Sequence, residues 1–196
     1  MPKSINISIE QLNPSILLMN LYLTQFITLT LAFLLYYFFY HLHPIAVIQQ
    51  VVIIDMGVWP FLYGILFSLI VILIDLTLTF TVPKEWIDDG GINEKIFKSI
   101  PVWHIAIVSL IVSFSEELLF RGVIQNFLGI SLTSFLFTII HFRYLNKWVL
   151  TIETFLISLG LGFLSANVGW TSNFVAHFLI DFLLGILLQR GFLEKS

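Results

Sequence analysis

Long apolar segments alternate with short polar ones along the 196-residue chain. A helix needs about 20 apolar residues to cross a bilayer. Five segments come close to or exceed that length, at residues 15–40, 61–82, 102–120, 148–168 and 170–189. A shorter sixth segment lies at 129–142, and the polar stretch 83–100 predicts a loop with a break at Gly90 and Gly91. The pattern predicts an all-α fold, a polytopic transmembrane helix bundle of about six helices.

The composition agrees with lipid as the solvent of this chain. Hydrophobic residues make up 58% of it and charged residues 11%, whereas soluble domains average about 25% charged residues. The net charge is −3 and no basic face is present, so we expect membrane lipid rather than nucleic acid as a partner. Cysteine is absent, which excludes disulfides, thiolate zinc sites and a cysteine nucleophile. The first apolar run is too long for the h-region of a cleavable signal peptide.

The basic residues are distributed asymmetrically between the predicted loops. With six helices, one side of the membrane receives eight of the nine Lys and Arg residues, and Arg121 lies within a helix. The eight are Lys3, Lys84, Lys95, Lys98, Arg143, Lys147, Arg190 and Lys195. The positive-inside rule then places both termini and the polar loop in the cytoplasm. The sequence therefore predicts a multi-pass protein of the cell membrane.

The first cluster of ionisable residues at membrane depth is Glu116-Glu117-x-x-x-Arg121. Ionisable residues are costly inside a bilayer, so their presence points to function. Glu117 and Arg121 are i, i+4 neighbours on a helix, in the order that favours pairing. Glu116 lies about 100° away around the helix and lacks that partner, which leaves its carboxylate free to act as a general base. The alternative is a helix end whose charges reach back to the interface.

Two further motifs follow in the second half of the chain. Phe137-x-x-x-His141 lies near a predicted helix end, where a histidine is either functional or packed at the interface. Asn173, His177 and Asp181 are spaced at i, i+4 and i+8, so they share one stripe of an otherwise apolar helix. That stripe predicts either an inward-facing site or an interhelical hydrogen-bond seam.

The helical rise tests whether these residues can meet. If the side without Lys and Arg is outside, Glu116 and His177 lie roughly 10 Å from the outer helix ends, and His141 lies roughly 18 Å from its own. The three side chains are therefore expected to meet in the outer half of the bilayer. Asp75 stands alone in the second span, and we favour a structural role for it over contact with the site.

Taken in order, the three motifs resemble the CPBP family, which comprises CAAX proteases and bacteriocin-processing or immunity proteins, also called Abi. The resemblance covers roughly residues 101–190, and the run from Ser115 to Gly122 is especially close to the family's first motif. It implies a catalytic helix core at 101–190. Residues 1–100 would supply N-terminal transmembrane helices and a cytoplasmic loop, within a single membrane domain.

The resemblance also implies an intramembrane hydrolytic site in which a glutamate and a histidine activate a water. The catalytic residues that it implies are Glu116, His141, His177 and Asp181. The residues that would support the site structurally are Glu117, Arg121 and Asn173. The family's last motif often ends in Asn, which can donate to an oxyanion, whereas an ionised Asp only accepts. We therefore expect Asp181 to orient His177.

Zinc or another divalent metal is a second possibility for this site. His141, His177 and either Glu116 or Asp181 could supply three ligands and leave one position open. The zincin motif, a helix with two His around a Glu, is absent. We favour a site without metal.

Three functions fit the sequence. The complete motif set favours an endopeptidase of the CAAX-protease type that cuts a peptide or protein substrate within or near the membrane. A non-enzymatic bacteriocin self-immunity or regulatory protein on the same scaffold is one alternative. A proton-coupled transporter that uses the buried acids as a relay is another, although no repeat pair or broken-helix pattern supports it. The substrate and the oligomeric state stay open.

Overall fold

The structure, a computed structural model, describes residues 13–53, 57–87 and 90–193, and within these ranges all regular structure is helical. The helices are α1 Pro14–Tyr40, α2 Pro44–Val47, α3 Val58–Thr81, α4 Lys84–Ile87, α5 Ile92–Lys98, α6 Val102–Leu119, α7 Gln125–Ile140, α8 Trp148–Asn167 and α9 Trp170–Gln189. Two π-helical segments, Ile48–Ile53 and Phe120–Ile124, continue α2 and join α6 to α7. The predicted all-α class is confirmed.

Five helical stretches are long and apolar enough to cross a membrane: Pro14–Tyr40, Val58–Thr81, Val102–Ile140, Trp148–Asn167 and Trp170–Gln189. Many large apolar side chains on these helices face outward; Phe26 is 68% exposed and Phe80 is 71% exposed. Such a surface is stable only against lipid, because water would make it an aggregation site. The predicted multi-spanning bundle is confirmed, with helix ends within three residues of those expected for α1, α3, α8 and α9.

The stretch Val102–Ile140 is one helical run of 39 residues that folds back on itself. In a straight helix, Phe120 and Phe137 would lie about 25 Å apart, yet their ring centroids are 5.1 Å apart. The reversal occurs at Gly129, whose φ of 72° and ψ of 173° are not helical. The predicted short helix at 129–142 is therefore a separate arm, residues 130–140, and it is only about 16 Å long. With it, the described residues contain the predicted six helices.

Gly129 occupies a backbone region that is essentially restricted to glycine. We expect Gly129→Ala to lower the free energy of unfolding by about 1–3 kcal/mol, because the added methyl group would meet open space and the cost is conformational. Gly91→Ala is the matched control, with a φ of 71° and a ψ of 11° and equally open surroundings. Equilibrium unfolding in detergent should show a smaller loss for the control. Equal losses would mean that the reversal does not depend on this conformation.

The polar segment after α3 was predicted as a loop and instead contains the short helices α4 and α5. The predicted break is present, since Gly90 and Gly91 both adopt positive φ. This segment meets the turn after α7: the Lys147 ammonium donates to the Glu85 carbonyl at 2.9 Å, and the Asn93 amide donates to the Tyr144 hydroxyl at 3.2 Å. These contacts place the two predicted basic loops side by side. Lys3 and Lys195 lie outside the described residues.

Helix α9 is the centre of the bundle, packed against α3, α5, α6 and α8. Its first half is buried, including Asn173 and His177. Gly64 allows α3 to approach closely, because a Cβ at this position would lie 2.6 Å from the Ser172 carbonyl oxygen of α9. Helix α1 packs against α6 and α5. The polar stripe of α9 and the acidic end of α6 therefore face each other inside the bundle.

Candidate active site

Glu117, at the end of α6, is the most heavily bonded carboxylate in the described part of the chain. It is fully buried. Its Oε2 accepts from Arg121 Nε at 3.2 Å and from Asn173 Nδ2 at 2.5 Å. Its Oε1 lies 2.7 Å from His177 Nδ1. The predicted pair of Glu117 and Arg121 is therefore present, and the same carboxylate also joins α6 to two polar residues of α9.

Arg121 lies in the π-helical turn that follows α6 and is 3% exposed. Its Nη2 donates to Ser158 Oγ of α8 at 2.8 Å, and its guanidinium carbon lies 5.5 Å from the centre of the Phe137 ring. A buried charge is tolerated only when it is paired and hydrogen-bonded. Glu117, Ser158 and the aromatic face meet that requirement.

Glu116 is the neighbouring residue, and its surroundings are different. It is 8% exposed, and its Oε1 accepts from Gln25 Nε2 of α1 at 3.0 Å. Its Oε2 is buried and has no hydrogen-bond partner among the described residues. A buried carboxylate oxygen without a partner is rare and calls for an explanation. The predicted division between a structural Glu117 and an available Glu116 agrees with this geometry.

His141 ends α7 in a non-helical conformation, with a φ of −81° and a ψ of 46°. Its Nδ1 lies 2.7 Å from the Phe137 carbonyl oxygen. A carbonyl can only accept, so Nδ1 carries a hydrogen and Nε2 of the neutral ring is left with a lone pair. The ring packs against Phe137, with centroids 4.4 Å apart, and Phe137 also meets the His177 ring at 6.2 Å. The buried phenyl ring thus packs against both imidazoles.

His177 lies between two carboxylates. Glu117 accepts from Nδ1, while Asp181 Oδ2 lies 3.6 Å from Nε2. That second distance is too long for a hydrogen bond. Glu117 therefore holds the ring through a hydrogen bond, while the expectation that Asp181 orients His177 stays a prediction. Nε2 remains directed toward Asp181.

One cavity of about 790 Å³ brings the four predicted catalytic residues together. Its lining includes Glu116 from α6, His141 from the end of α7, and His177 and Asp181 from α9. Asp75 from α3 lines it as well, so this residue contacts the cavity instead of standing apart from it. Residues from three separate sequence motifs thus line one cavity.

The cavity extends to the polar segment that carries α4 and α5. Lys84, Asn93 and Glu94 line it on that side. The sequence had placed the site in the outer half of the bilayer. Helix α7 is short and ends at His141, beside the loops that were predicted to be cytoplasmic. The depth of the site in the bilayer stays a prediction. The cavity reaches from the buried carboxylates to that side.

Residues 98–183 match the family of type II CAAX prenyl endopeptidases described as Rce1-like. This part of the chain is therefore similar to the Rce1-like proteins. The predicted resemblance to the CAAX proteases of the CPBP family is thereby confirmed, over nearly the same residues as expected. Residues 98–183, called the Rce1-like segment below, contain all seven residues predicted to be catalytic or to support the site.

A curated relative extends beyond this segment. The uncharacterised protein YpbD of Bacillus subtilis (strain 168) is 43% identical over 123 residues, which cover 61% of this chain and 64% of YpbD. The match thus spans less than two thirds of the length of that relative. No solved structure matches the chain.

The predicted metal ligands of the Rce1-like segment do not lie together as a metal site. Among the described residues, no group of three or more His, Asp or Glu side chains could hold a metal ion. Both imidazoles already use Nδ1, His141 toward a backbone carbonyl and His177 toward Glu117. Glu116 offers one oxygen, since the other accepts from Gln25. A reaction without metal stays a prediction.

Two contacts of the site were not predicted. The sequence analysis named Phe137 only as part of the motif that contains His141, yet its ring contacts both imidazoles and Arg121. Gln25 lies outside the Rce1-like segment and carries no motif. The signal that could have found it is an amide within an apolar, membrane-length helix, because such a group needs a partner inside the bundle.

Proposed function

We propose that this protein is an intramembrane endopeptidase that hydrolyses a peptide bond with a water activated by Glu116 and His141. The observation that carries the proposal is the unpartnered Oε2 of Glu116 beside two imidazoles in one cavity. The similarity of residues 98–183 to CAAX prenyl endopeptidases supports the reaction class. The buried carboxylate supplies the base.

In the proposed reaction, Glu116 Oε2 takes a proton from a water in the cavity. The Nε2 lone pair of His141 accepts the second hydrogen of that water and orients its oxygen. The oxygen attacks the carbonyl carbon of the peptide bond and forms a tetrahedral intermediate. Glu116 then returns the proton to the amide nitrogen as the carbon–nitrogen bond breaks. The products are a carboxyl group and an amine, and the glutamate is regenerated.

His177 is proposed to stabilise the oxyanion of that intermediate. As an imidazolium, it donates through Nδ1 to Glu117 and has Nε2–H available for the substrate oxygen. Donors fixed in advance toward a developing negative charge supply a large part of many rate enhancements. Asp181 is proposed to balance the imidazolium charge at 3.6 Å. Asn173 and Arg121 hold Glu117, and through it the ring, in position.

The proposed substrate is a peptide or protein segment that reaches the cavity from the polar side or from lipid. The cavity volume of about 790 Å³ accommodates several residues of such a segment. We propose that the chain resides in the cell membrane, with both termini and the segment 83–100 in the cytoplasm. The asymmetric distribution of Lys and Arg supports this orientation.

A comparison of membrane proteomes tests the proposal and identifies the substrate. Cells that produce the natural protein should contain cleaved forms of at least one membrane protein that stays intact with Glu116→Gln. Glu85→Gln is the matched control, because Glu85 is exposed and its side chain lies outside the cavity lining. Quantitative mass spectrometry of terminal peptides measures the difference.

The comparison also separates the protease from a non-enzymatic role. If the Glu116→Gln and natural proteins give identical terminal peptides and both protect cells against a bacteriocin, the protease proposal is wrong. The scaffold would then act by binding a partner.

A further inference from the structure

Helix α1 carries a buried amide on a surface that otherwise faces lipid. Gln25 is 6% exposed, while its neighbours Leu23, Phe26 and Ile27 are 54%, 68% and 58% exposed. An amide taken out of water without hydrogen bonds costs several kcal/mol. The position of Gln25 in the bundle therefore depends on the partners that it finds there.

The two hydrogen-bond partners of the Gln25 side chain are consecutive residues of α6. Its Nε2 donates to Glu116 Oε1 at 3.0 Å, and its Oε1 accepts from Ser115 Oγ at 2.5 Å. Ser115 Oγ also lies 2.7 Å from the Ile111 carbonyl, but a hydroxyl has a single hydrogen. Two oxygens at 2.5 Å require that hydrogen between them, so the Ser115 hydroxyl is assigned to Gln25. The amide is thus fixed at both ends.

The Gln25 amide presents its nitrogen to Glu116, so that a carboxylate oxygen accepts the hydrogen bond. The bond occupies Oε1, whereas Oε2 is buried and has no hydrogen-bond partner among the described residues.

We infer that Gln25 is the positioning residue for Glu116. The inference rests on the proposed function, since a positioned base matters only if Glu116 acts as one. Gln25 fixes the carboxylate through Oε1 and directs the unpartnered Oε2 toward the water and substrate. The site is then completed by a helix that lies outside the Rce1-like segment.

A purely structural role for Gln25 makes a different prediction. If the amide only joined the two helices, it would hold α1 against α6, and its loss would lower the amount of folded protein. The turnover of the remaining folded protein would be unchanged. Loss of a positioning contact instead lowers kcat in a fully folded protein, because small displacements of a catalytic group cost large factors in rate.

The test compares Gln25→Leu with the natural protein, purified in the same detergent. The probe is the membrane protein whose cleavage is abolished by Glu116→Gln in the proteome comparison. We expect kcat to fall by about 10- to 100-fold, as for a lost hydrogen bond to a charged group, with KM within about twofold. Gln25→Asn keeps the amide on a shorter side chain and should recover part of the loss. Thr30→Val is the control, because the Thr30 hydroxyl bonds to its own helix at Phe26 and faces lipid.

The pH–rate profile provides the readout that a structural role would not move. Loss of the donor changes the pH at which kcat is half-maximal, whereas a smaller folded fraction only scales the profile. An unchanged kcat and profile in folded Gln25→Leu, with Glu116→Gln inactive, overturns the inference and leaves the proposed function intact. If Glu116→Gln itself remains active, the proposed function is wrong, and the inference that rests on it is overturned as well. Should Gln25→Leu not fold, the profile of Gln25→Asn decides.

Discussion

Glu117→Leu is expected to lower the free energy of unfolding by about 3–5 kcal/mol, the loss typical when one partner of a buried ion pair is removed. The substitution leaves the Arg121 guanidinium, which is 3% exposed, without its carboxylate. It also removes the acceptor for Asn173 and His177 of α9. Equilibrium unfolding in detergent, followed by circular dichroism, measures the change.

Glu116→Leu is the matched control for this prediction, because the two glutamates are adjacent on one helix and nearly equally buried. Glu116 accepts one hydrogen bond, from Gln25, and its other oxygen has no partner in the described ranges. Its replacement should therefore cost clearly less stability. A double variant, Glu117→Leu with Arg121→Leu, should recover part of the loss, since removal of both charges leaves neither one unpaired. Equal losses for the two single variants would contradict the assignment of Glu117 as the structural carboxylate.

Glu116→Gln is expected to lower kcat by about 100- to 10,000-fold, the range supplied by a positioned general base. The replacement keeps the size of the side chain, and its amide oxygen still accepts from Gln25, so the fold and substrate binding should change little. Purified protein and the substrate from the proteome comparison provide the assay, with Glu85→Gln as the charge-matched control. A normal kcat in Glu116→Gln would remove this residue from the reaction.

The same assay tests whether Glu116 and His141 act together on one water. His141→Gln alone should also lower kcat, because Nε2 no longer orients that water. Residues that act as a unit have strongly non-additive effects. We therefore expect the double variant to be no slower than Glu116→Gln alone. Losses that multiply would instead indicate separate roles.

The helices could be predicted from the sequence because lipid imposes a simple length requirement on apolar segments. The one uncertain helix, at 129–142, is set by a single glycine whose conformation no hydrophobicity pattern reveals. The pairing of Glu117 with Arg121 was also predictable, since it depends only on i, i+4 spacing within one helix. Local periodicity thus accounts for the parts of the fold and site that were anticipated.

Most of the contacts that escaped prediction join residues far apart in sequence. Gln25 and Glu116 are 91 positions apart, and Arg121 and Ser158 are 37 apart. Such pairs depend on how the helices are arranged around one another, which the spacing within one helix does not determine. The same reason explains why Glu117, rather than Asp181, holds the His177 ring.

The arrangement around Glu117 bears on how the chain enters the membrane during synthesis. Asn173 and His177 are made 56 and 60 residues after Glu117, so they do not yet exist when α6 leaves the ribosome. Arg121 follows after only four residues, and an intrahelical pair forms within the emerging helix itself. The newly made helix can therefore be inserted with its acidic charge already compensated. Helix α9 then docks onto a prepared acceptor, and the site is completed only after Asn173 and His177 have been made.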